Sequence, residues 1–188
     1  MIKNIFKMPK RVKITGRTAS ITNAFVNGII PCVEPSKKEI TKALGILGLD
    51  SNDLRCAYCG DKATEWDHLR PLVIDQRPAG YISEIHNLVP ACGKCNQSKG
   101  NKDWRKWIVS SAKLSPKTRG VKDLDSKIKR LEKFEKWKEI KPLDFKKIVG
   151  TRNWNLHWSN HQKILDLMKE CQKHSDEMKK LIQKIYKK

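Results

Sequence analysis

The sequence predicts an α+β fold, in which a small cysteine-bracketed core with short strands is flanked by mostly α-helical regions. Two Cys-x-x-Cys pairs stand 32 residues apart and enclose a strand-like run. A helical pattern begins directly after the second pair, and the flanks carry apolar residues at helical spacing. The pairs are formed by Cys56, Cys59, Cys92 and Cys95.

The 188 residues suit one domain of moderate size or a small domain with additional segments. We expect three parts: a basic N-terminal arm with one helix over 1–51, the cysteine module over 52–110, and a helical region over 111–188. Residues 111–120 contain Ser, Pro, Lys and Gly and are interpreted as a linker.

The N-terminal part carries one clear helix signal. Ser36 followed by Glu39 forms a capping box and predicts a helix over 36–48. Before it, residues 21–30 are apolar without a clean period. We expect residues 1–35 to form an irregular arm that contains one strand.

The cysteine module and the region after it alternate strand, loop and helix patterns. We expect a short strand over 65–69 and a loop over 73–83, which contains Asp, Pro and Gly. Helices are predicted over 96–110 and 122–139.

The last predicted helix covers 160–186 and has apolar residues at alternating steps of four and three, interrupted at Ser175. These residues are Ile164, Met168, Cys171, Met178, Ile182 and Ile185. The spacing is typical of a helix pair or a short coiled coil. Packing within the chain and a homodimer are both compatible with it.

The charge balance points to a polyanionic partner. Lys and Arg number 40 against 20 Asp and Glu, a net charge of +20. Such a field favours nucleic acid, because each neutralised phosphate releases counterions. Solvated basic faces or an anionic membrane surface are the alternatives. No stretch of 18 apolar residues predicts a membrane span, and residues 1–15 do not resemble a secretory signal.

The paired cysteines predict a structural zinc site. Four thiolates on two tight turns complete the closed tetrahedron that structural zinc prefers, which leaves no open position for chemistry. A metal-free redox pair is the alternative reading. Cys32 and Cys171 stand alone and are expected to be buried or free thiols, which suits a reducing cytoplasm.

Polar residues between and beside the cysteines could form a chemical centre. Asp67 offers a hard oxygen to a divalent cation, and Asn96, in the first turn of the following helix, could supply a second. A neutral His68 could deprotonate a water molecule. Neighbouring strand residues face opposite ways, so a bend is needed for Asp67 and His68 to serve one site.

These motifs together resemble the HNH family of endonucleases, the ββα-metal nucleases. The resemblance covers roughly residues 54–107. The matching elements, in order, are Cys56-Ala-Tyr-Cys59, Glu65-Trp-Asp67-His68-Leu-Arg-Pro71, Gly80, Asn87-Leu-Val-Pro-Ala-Cys92-Gly-Lys-Cys95-Asn96 and Lys99.

The resemblance implies a role for each site residue. His68 would be the general base, and Asp67 and Asn96 would bind one catalytic metal, Mg²⁺ or Mn²⁺, beside the structural Zn²⁺. Asn87 would brace the loop that orients His68. Lys99 and Arg70 are candidate DNA contacts; each could also be a solvated side chain. Asn96 stands where many members have His, but it keeps an oxygen ligand.

The implied activity is hydrolysis of double-stranded DNA to 5′-phosphate and 3′-hydroxyl ends, in the manner of a type II restriction-like enzyme of a restriction-modification system. A homing or nonspecific nuclease is an alternative, as is a non-catalytic zinc-dependent DNA-binding module. The sequence contains no G-x-x-x-x-G-K-[ST] motif, so this chain is not expected to couple cleavage to ATP.

Overall fold

The computed structural model describes residues 9–186, so the predictions for residues 1–8 lie outside the described residues. The chain divides into two compact units. One comprises residues 26–145, and the other combines residues up to 25 with residues from 146 onward. The helices are α1 Thr18–Asn27, α2 Lys37–Leu47, α3 Gly93–Lys99, α4 Trp104–Ile108, α5 Leu124–Trp137, α6 Phe145–Val149 and α7 Thr151–Tyr186; the strands are β1 Glu65–His68, β2 Val73–Ile74, β3 Arg77–Pro78 and β4 Leu88–Ala91.

The unit of residues 26–145 is built around an antiparallel pair of strands. β1 pairs with β4 in a register that places Asp67 opposite Val89 and His68 opposite Leu88. α3 follows β4 directly, which gives the predicted strand, strand, helix order. The second cysteine pair follows β4 directly. The position of the sheet and the position of these cysteines therefore depend on each other. The mixed α+β composition predicted from the sequence is confirmed.

The predicted capping box is present at the start of α2. Ser36 Oγ accepts a hydrogen bond from the Glu39 backbone N–H (3.3 Å), and the Glu39 carboxylate accepts one from the Ser36 N–H (2.8 Å). Gly48 ends the helix in the left-handed conformation, with φ of 63°. The prediction of this helix is confirmed.

The core of this unit lies between the sheet, α2, α4 and α5. Trp104 and Trp107 are both 1% exposed and share the inward face of α4 with Ile108, as their spacing predicts. From α5, Leu131 and Phe134 pack into the same cluster. The two tryptophans therefore anchor the C-terminal side of the cysteine module.

The single helix predicted over 96–110 is wrong, because two short helices occupy this range. Gly100 ends α3 with a positive φ of 51°, which a continuing helix does not allow. Asp103 then starts α4, its side chain accepting from the Lys106 N–H at 3.0 Å. A glycine followed by an N-cap residue is the sequence signal for this break.

The expectation of an irregular arm with a strand is wrong where α1 forms, at Thr18–Asn27. Contacts with α7 stabilise this helix. Thr22 Oγ1 lies 3.0 Å from His161 Nε2, and the Phe25 ring lies 4.9 Å from the His157 ring. α7 itself spans 36 residues and starts at Thr151, nine residues before its predicted start.

Residues 111–120 are a folded part of the module and not a free linker. Ser115 is fully buried, and its hydroxyl donates to the Ser110 carbonyl at 2.7 Å. Thr118 donates its backbone N–H to Ser115 Oγ at 3.2 Å, closing a tight turn.

In the predicted loop over 73–83, the short strands β2 and β3 pair with each other. No helix among residues 9–186 is long and apolar enough to cross a membrane.

Candidate metal centre and active site

The four paired cysteines converge on one point. Their sulfur atoms all lie within 4.8 Å of one another, and Cys59 Sγ is 3.6 Å from Cys92 Sγ. A tetrahedron with Zn–S bonds of about 2.3 Å has edges of roughly 3.8 Å. The cluster therefore fits zinc in both donor type and spacing, as the sequence predicts.

Backbone hydrogen bonds form the two turns that hold these sulfurs. The Gly60 N–H donates to the Cys56 carbonyl at 2.9 Å, with Gly60 in the left-handed region at a φ of 82°. The Ala57 N–H donates to the Pro90 carbonyl at 2.8 Å, which ties the first turn to β4. Cys92 is the N-cap residue of α3.

The electrostatics of the cluster favour a bound cation. Hydrogen bonding from Cys59 and Cys95 lowers the pKa of Cys56, and hydrogen bonding to Cys56 and Cys59 raises the pKa of Cys95. Arg119 donates to Cys95 Sγ at 3.4 Å and to Asp61 at 2.6 Å. Sequence reasoning missed Arg119, because it comes from the segment interpreted as a linker.

Asp67 lies on the side of β1 that faces α3, where two donors hold its carboxylate. The Tyr58 hydroxyl donates to Oδ2 at 2.5 Å, and the Lys99 ammonium donates to Oδ1 at 3.1 Å. Lys99 also donates to the backbone carbonyls of His68 (2.8 Å) and Gly100 (3.2 Å). Asp67 is 5% exposed.

Lys99, a candidate DNA contact from the sequence, lies inside the protein in this structure. Its side chain is fully buried, and its ammonium group is committed to Asp67 and to two carbonyls. Burial raises the pKa of Asp67 and lowers the pKa of Lys99, while the charge of each partner opposes the shift of the other. Lys99 thus acts on the site from inside, through Asp67.

Tyr58 sits within the first Cys-x-x-Cys pair and is fully buried against Trp107, with ring centroids 5.2 Å apart. Burial, and next the charge of Asp67, raise the pKa of Tyr58 well above its ordinary value. The phenol therefore remains a proton donor to Asp67. The sequence motif does not distinguish this tyrosine from a core residue.

Asn96 contacts a carboxylate that sequence reasoning did not assign to the site. Its Nδ2 donates to Glu65 Oε2 at 2.5 Å. Glu65 lies two residues before Asp67 and so faces the same side of β1. Because the amide nitrogen points to Glu65, the Oδ1 of Asn96 is the atom left to bind a cation. The i, i+2 spacing of Glu65 and Asp67 is the sequence signal that could have identified Glu65 as part of the site.

His68 faces the other side of β1 from Asp67. Its Nε2 lies 2.8 Å from Ser83 Oγ, and the ring is half-buried. The expected bend does not precede His68, since β1 stays paired through His68 and Leu88. Burial, and next the Lys99 charge, lower the pKa of His68 to about 4. The imidazole is therefore neutral at pH 7.

Asn87 holds the turn that follows His68. Its Oδ1 accepts from the Arg70 N–H at 2.8 Å, its Nδ2 donates to the Arg70 carbonyl at 3.1 Å, and its own carbonyl accepts from Leu69. The Arg70 guanidinium pairs with Glu135 at 3.2 Å and is 17% exposed. Arg70, a candidate DNA contact from the sequence, pairs with a carboxylate of its own chain in this structure.

The second, catalytic metal would need oxygen donors, and the residues present fit it in kind. Asp67 lies on β1 and Asn96 lies on α3, which contacts β1, and Glu65 of β1 accepts a hydrogen bond from Asn96. A carboxylate has about four lone-pair sites, so the two donors on Asp67 do not use them all. Hard oxygen donors of this kind suit Mg²⁺ or Mn²⁺.

Comparison with known proteins agrees with this geometry. Residues 56–102 match the family model described as HNH endonuclease, and these residues form an HNH endonuclease domain. A segment of 83 residues is 30% identical to the CRISPR-associated endonuclease Cas9 of Corynebacterium diphtheriae. This match covers 42% of the present chain but only 7% of that protein. No solved structure matches the chain significantly.

Proposed function

We propose that this protein is a metal-dependent endonuclease that hydrolyses phosphodiester bonds of double-stranded DNA. The observation that carries the proposal is the placement of Asp67 on β1 and of Asn96 on α3, two elements that contact each other within the segment that matches the HNH family. The net charge of +20 suits a DNA substrate.

Each side chain is assigned the task that the HNH resemblance implies. For His68 this task requires a bend at the end of β1, because the paired strand places it on the face opposite Asp67. Asp67 and Asn96 are the proposed ligands of the catalytic cation, with Asn96 oriented by Glu65. When bound, Mg²⁺ or Mn²⁺ would polarise the phosphate and stabilise the leaving oxygen. His68, neutral at pH 7, would take the proton from the attacking water.

Asn87 and Lys99 support these groups from the interior. Asn87 fixes the backbone at Arg70, two residues after His68, through both atoms of its amide. Lys99 bonds both the Asp67 carboxylate and the His68 carbonyl, so one ammonium group links the metal ligand to the backbone of the base. We assign both residues positioning roles.

The finer activity is part of the same proposal. Products would carry 5′-phosphate and 3′-hydroxyl ends, and the enzyme would be type II restriction-like, acting in the cytoplasm. Cutting both strands at a symmetric site requires two centres, which a homodimer would supply. A homing or nonspecific nuclease would use the same residues and differ in its choice of site.

The test is incubation of the purified protein with plasmid DNA and Mg²⁺, followed by mapping of the ends. Cleavage is expected for the wild type and lost in His68→Ala and Asn96→Ala, with unchanged zinc content and circular dichroism. Asn101→Ala, an exposed asparagine nearby, is the matched control and should cleave normally.

The outcomes separate the alternatives. Discrete fragments support a restriction or homing enzyme, and a smear supports a nonspecific one. DNA binding without cleavage in either Mg²⁺ or Mn²⁺ would instead identify a non-catalytic zinc-dependent DNA-binding module. Full cleavage by His68→Ala would refute the assignment of the base.

A further inference from the structure

A solvent-exposed stripe runs along three heptads of α7. Seven residues at alternating steps of three and four are all exposed, and six of them are apolar or thiol-bearing: Ile164, Leu167, Cys171, His174, Met178, Leu181 and Ile185. Leu181 is 61% exposed and Ile185 is 77% exposed. We call this stripe the α7 seam; it is about 33 Å long at 1.5 Å per residue.

The α7 seam is distinct from the face that α7 uses inside its own unit. That face is half-buried and consists of Leu165, Met168, Gln172, Ser175 and Lys179. Gln172 Oε1 accepts a hydrogen bond from the Ile14 N–H at 2.7 Å. The two faces are centred roughly a quarter-turn apart on the helix, so intrachain packing leaves the seam exposed.

We propose that the α7 seam binds a second copy of this chain as a parallel, in-register, two-stranded coiled coil. Its a positions are Ile164, Cys171, Met178 and Ile185, and its d positions are Leu167, His174 and Leu181. In parallel coiled coils, β-branched residues at a with Leu at d favour two strands, and both ends of the seam follow this rule. Three heptads meet the length expected of such a pair.

The flanking charges determine the direction of the pair. The g positions are Lys163, Glu170, Glu177 and Lys184, and the e positions are Met168, Ser175 and Ile182. In a parallel pair Lys163, Glu170 and Glu177 each face an uncharged e residue of the partner subunit, so no like charges meet at these positions. A fully overlapped antiparallel pair would bring g against g, placing Lys163 against Lys184 of the partner subunit and Glu170 against Glu177 of the partner subunit. Like-charge contacts disfavour that arrangement.

This inference deepens the two-centre part of the proposed function, but it is tested without DNA or catalytic metal. Sedimentation velocity of the full chain should give twice the chain mass of 21.7 kDa at micromolar concentration. Leu181→Glu should raise the dimer dissociation constant at least about 100-fold, since it replaces a buried leucine in each copy with a charge. The matched control Gln183→Glu adds the same charge on the opposite face and should leave the dimer intact.

A cross-link distinguishes the two directions. In a Cys32→Ser, Cys171→Ser background, Ile185→Cys should be joined to its counterpart by a short bis-maleimide, because a parallel pair brings the two positions together. An antiparallel pair would separate them by roughly 37 Å. A monomer at all concentrations, or a dimer that tolerates Leu181→Glu, would overturn the proposal. A dimer without the cross-link would overturn its direction.

Discussion

Tyr58, which lies inside the first Cys-x-x-Cys pair, donates a hydrogen bond from its hydroxyl to Asp67 at 2.5 Å. This bond joins the cysteine cluster directly to the proposed metal ligand. Because the turn around Tyr58 depends on the same cysteines, an ordered zinc site and a correctly placed Asp67 are parts of one structure. Loss of zinc should therefore disable the centre even though zinc takes no part in the chemistry.

The Tyr58→Phe substitution should separate zinc binding by the cysteines from the placement of Asp67. Phenylalanine keeps the edge contact with Trp107 but leaves Asp67 with Lys99 as its side-chain donor. We expect one zinc per chain as in the wild type, with Mn²⁺ affinity and cleavage reduced about 10- to 100-fold. Zinc content and Mn²⁺ binding by paramagnetic resonance measure the two effects. Tyr186→Phe, at a 90% exposed position, is the control; equal Mn²⁺ affinity in both variants would refute the role of Tyr58.

Lys99→Met tests whether this lysine acts from the interior. Methionine keeps most of the volume but removes the charge opposite Asp67, leaving a buried carboxylate unpaired. Breaking such a pair typically costs about 3–5 kcal/mol of unfolding free energy. Urea denaturation should show this loss, whereas the exposed Lys106→Met should change stability little.

The salt dependence of DNA binding tests the alternative, in which Lys99 contacts a DNA phosphate. A residue that neutralises one phosphate contributes about 0.9 to the slope of log K against log salt. If Lys99 is buried, the Lys99→Met variant should show the same slope as the wild type, measured over salt concentrations at which the variant is folded. If the folded variant instead has a slope that is smaller by about one, Lys99 contacts a phosphate and the interior role is wrong.

The features that the sequence predicts correctly are those set by local spacing. The Cys-x-x-Cys pairs place two sulfurs on one turn wherever they occur, and Ser36 with Glu39 forms its cap within four residues. Such patterns need no knowledge of distant contacts. For the same reason the resemblance to HNH nucleases could be recognised from ordered short motifs.

The features that the sequence does not predict depend on distant partners. Lys99 is one of many lysines, and its burial is explained by Asp67, 32 residues earlier, together with the carbonyls of His68 and Gly100. Arg70 looks available to DNA until Glu135 of α5 is placed beside it. α1 forms where the local pattern is weak, because residues of α7 pack against it. In each case tertiary contacts override a local or compositional signal.

Glu65→Ala tests the orientation of Asn96. Without the Glu65 carboxylate, the amide of Asn96 loses the acceptor that holds its nitrogen away from the cation site. We expect Mn²⁺ affinity to fall about 10-fold or more, the usual effect of removing a group that orients a ligand. Glu139→Ala, at an exposed position, should keep wild-type affinity. Unaltered Mn²⁺ binding in Glu65→Ala would show that Asn96 needs no such partner.

Arg119→Met tests the support that residues 111–120 give to the cysteine cluster. Four thiolates around Zn²⁺ carry a net charge of −2, and Arg119 is a cation in contact with Cys95 Sγ. Its removal should weaken zinc binding about 10- to 100-fold and speed zinc transfer to a chromogenic chelator. Arg55→Met is the control, because Arg55 pairs with Asp53 at the surface. If Arg119→Met releases zinc as slowly as Arg55→Met, the contact with Cys95 does not stabilise the bound metal, and the segment contributes only by packing.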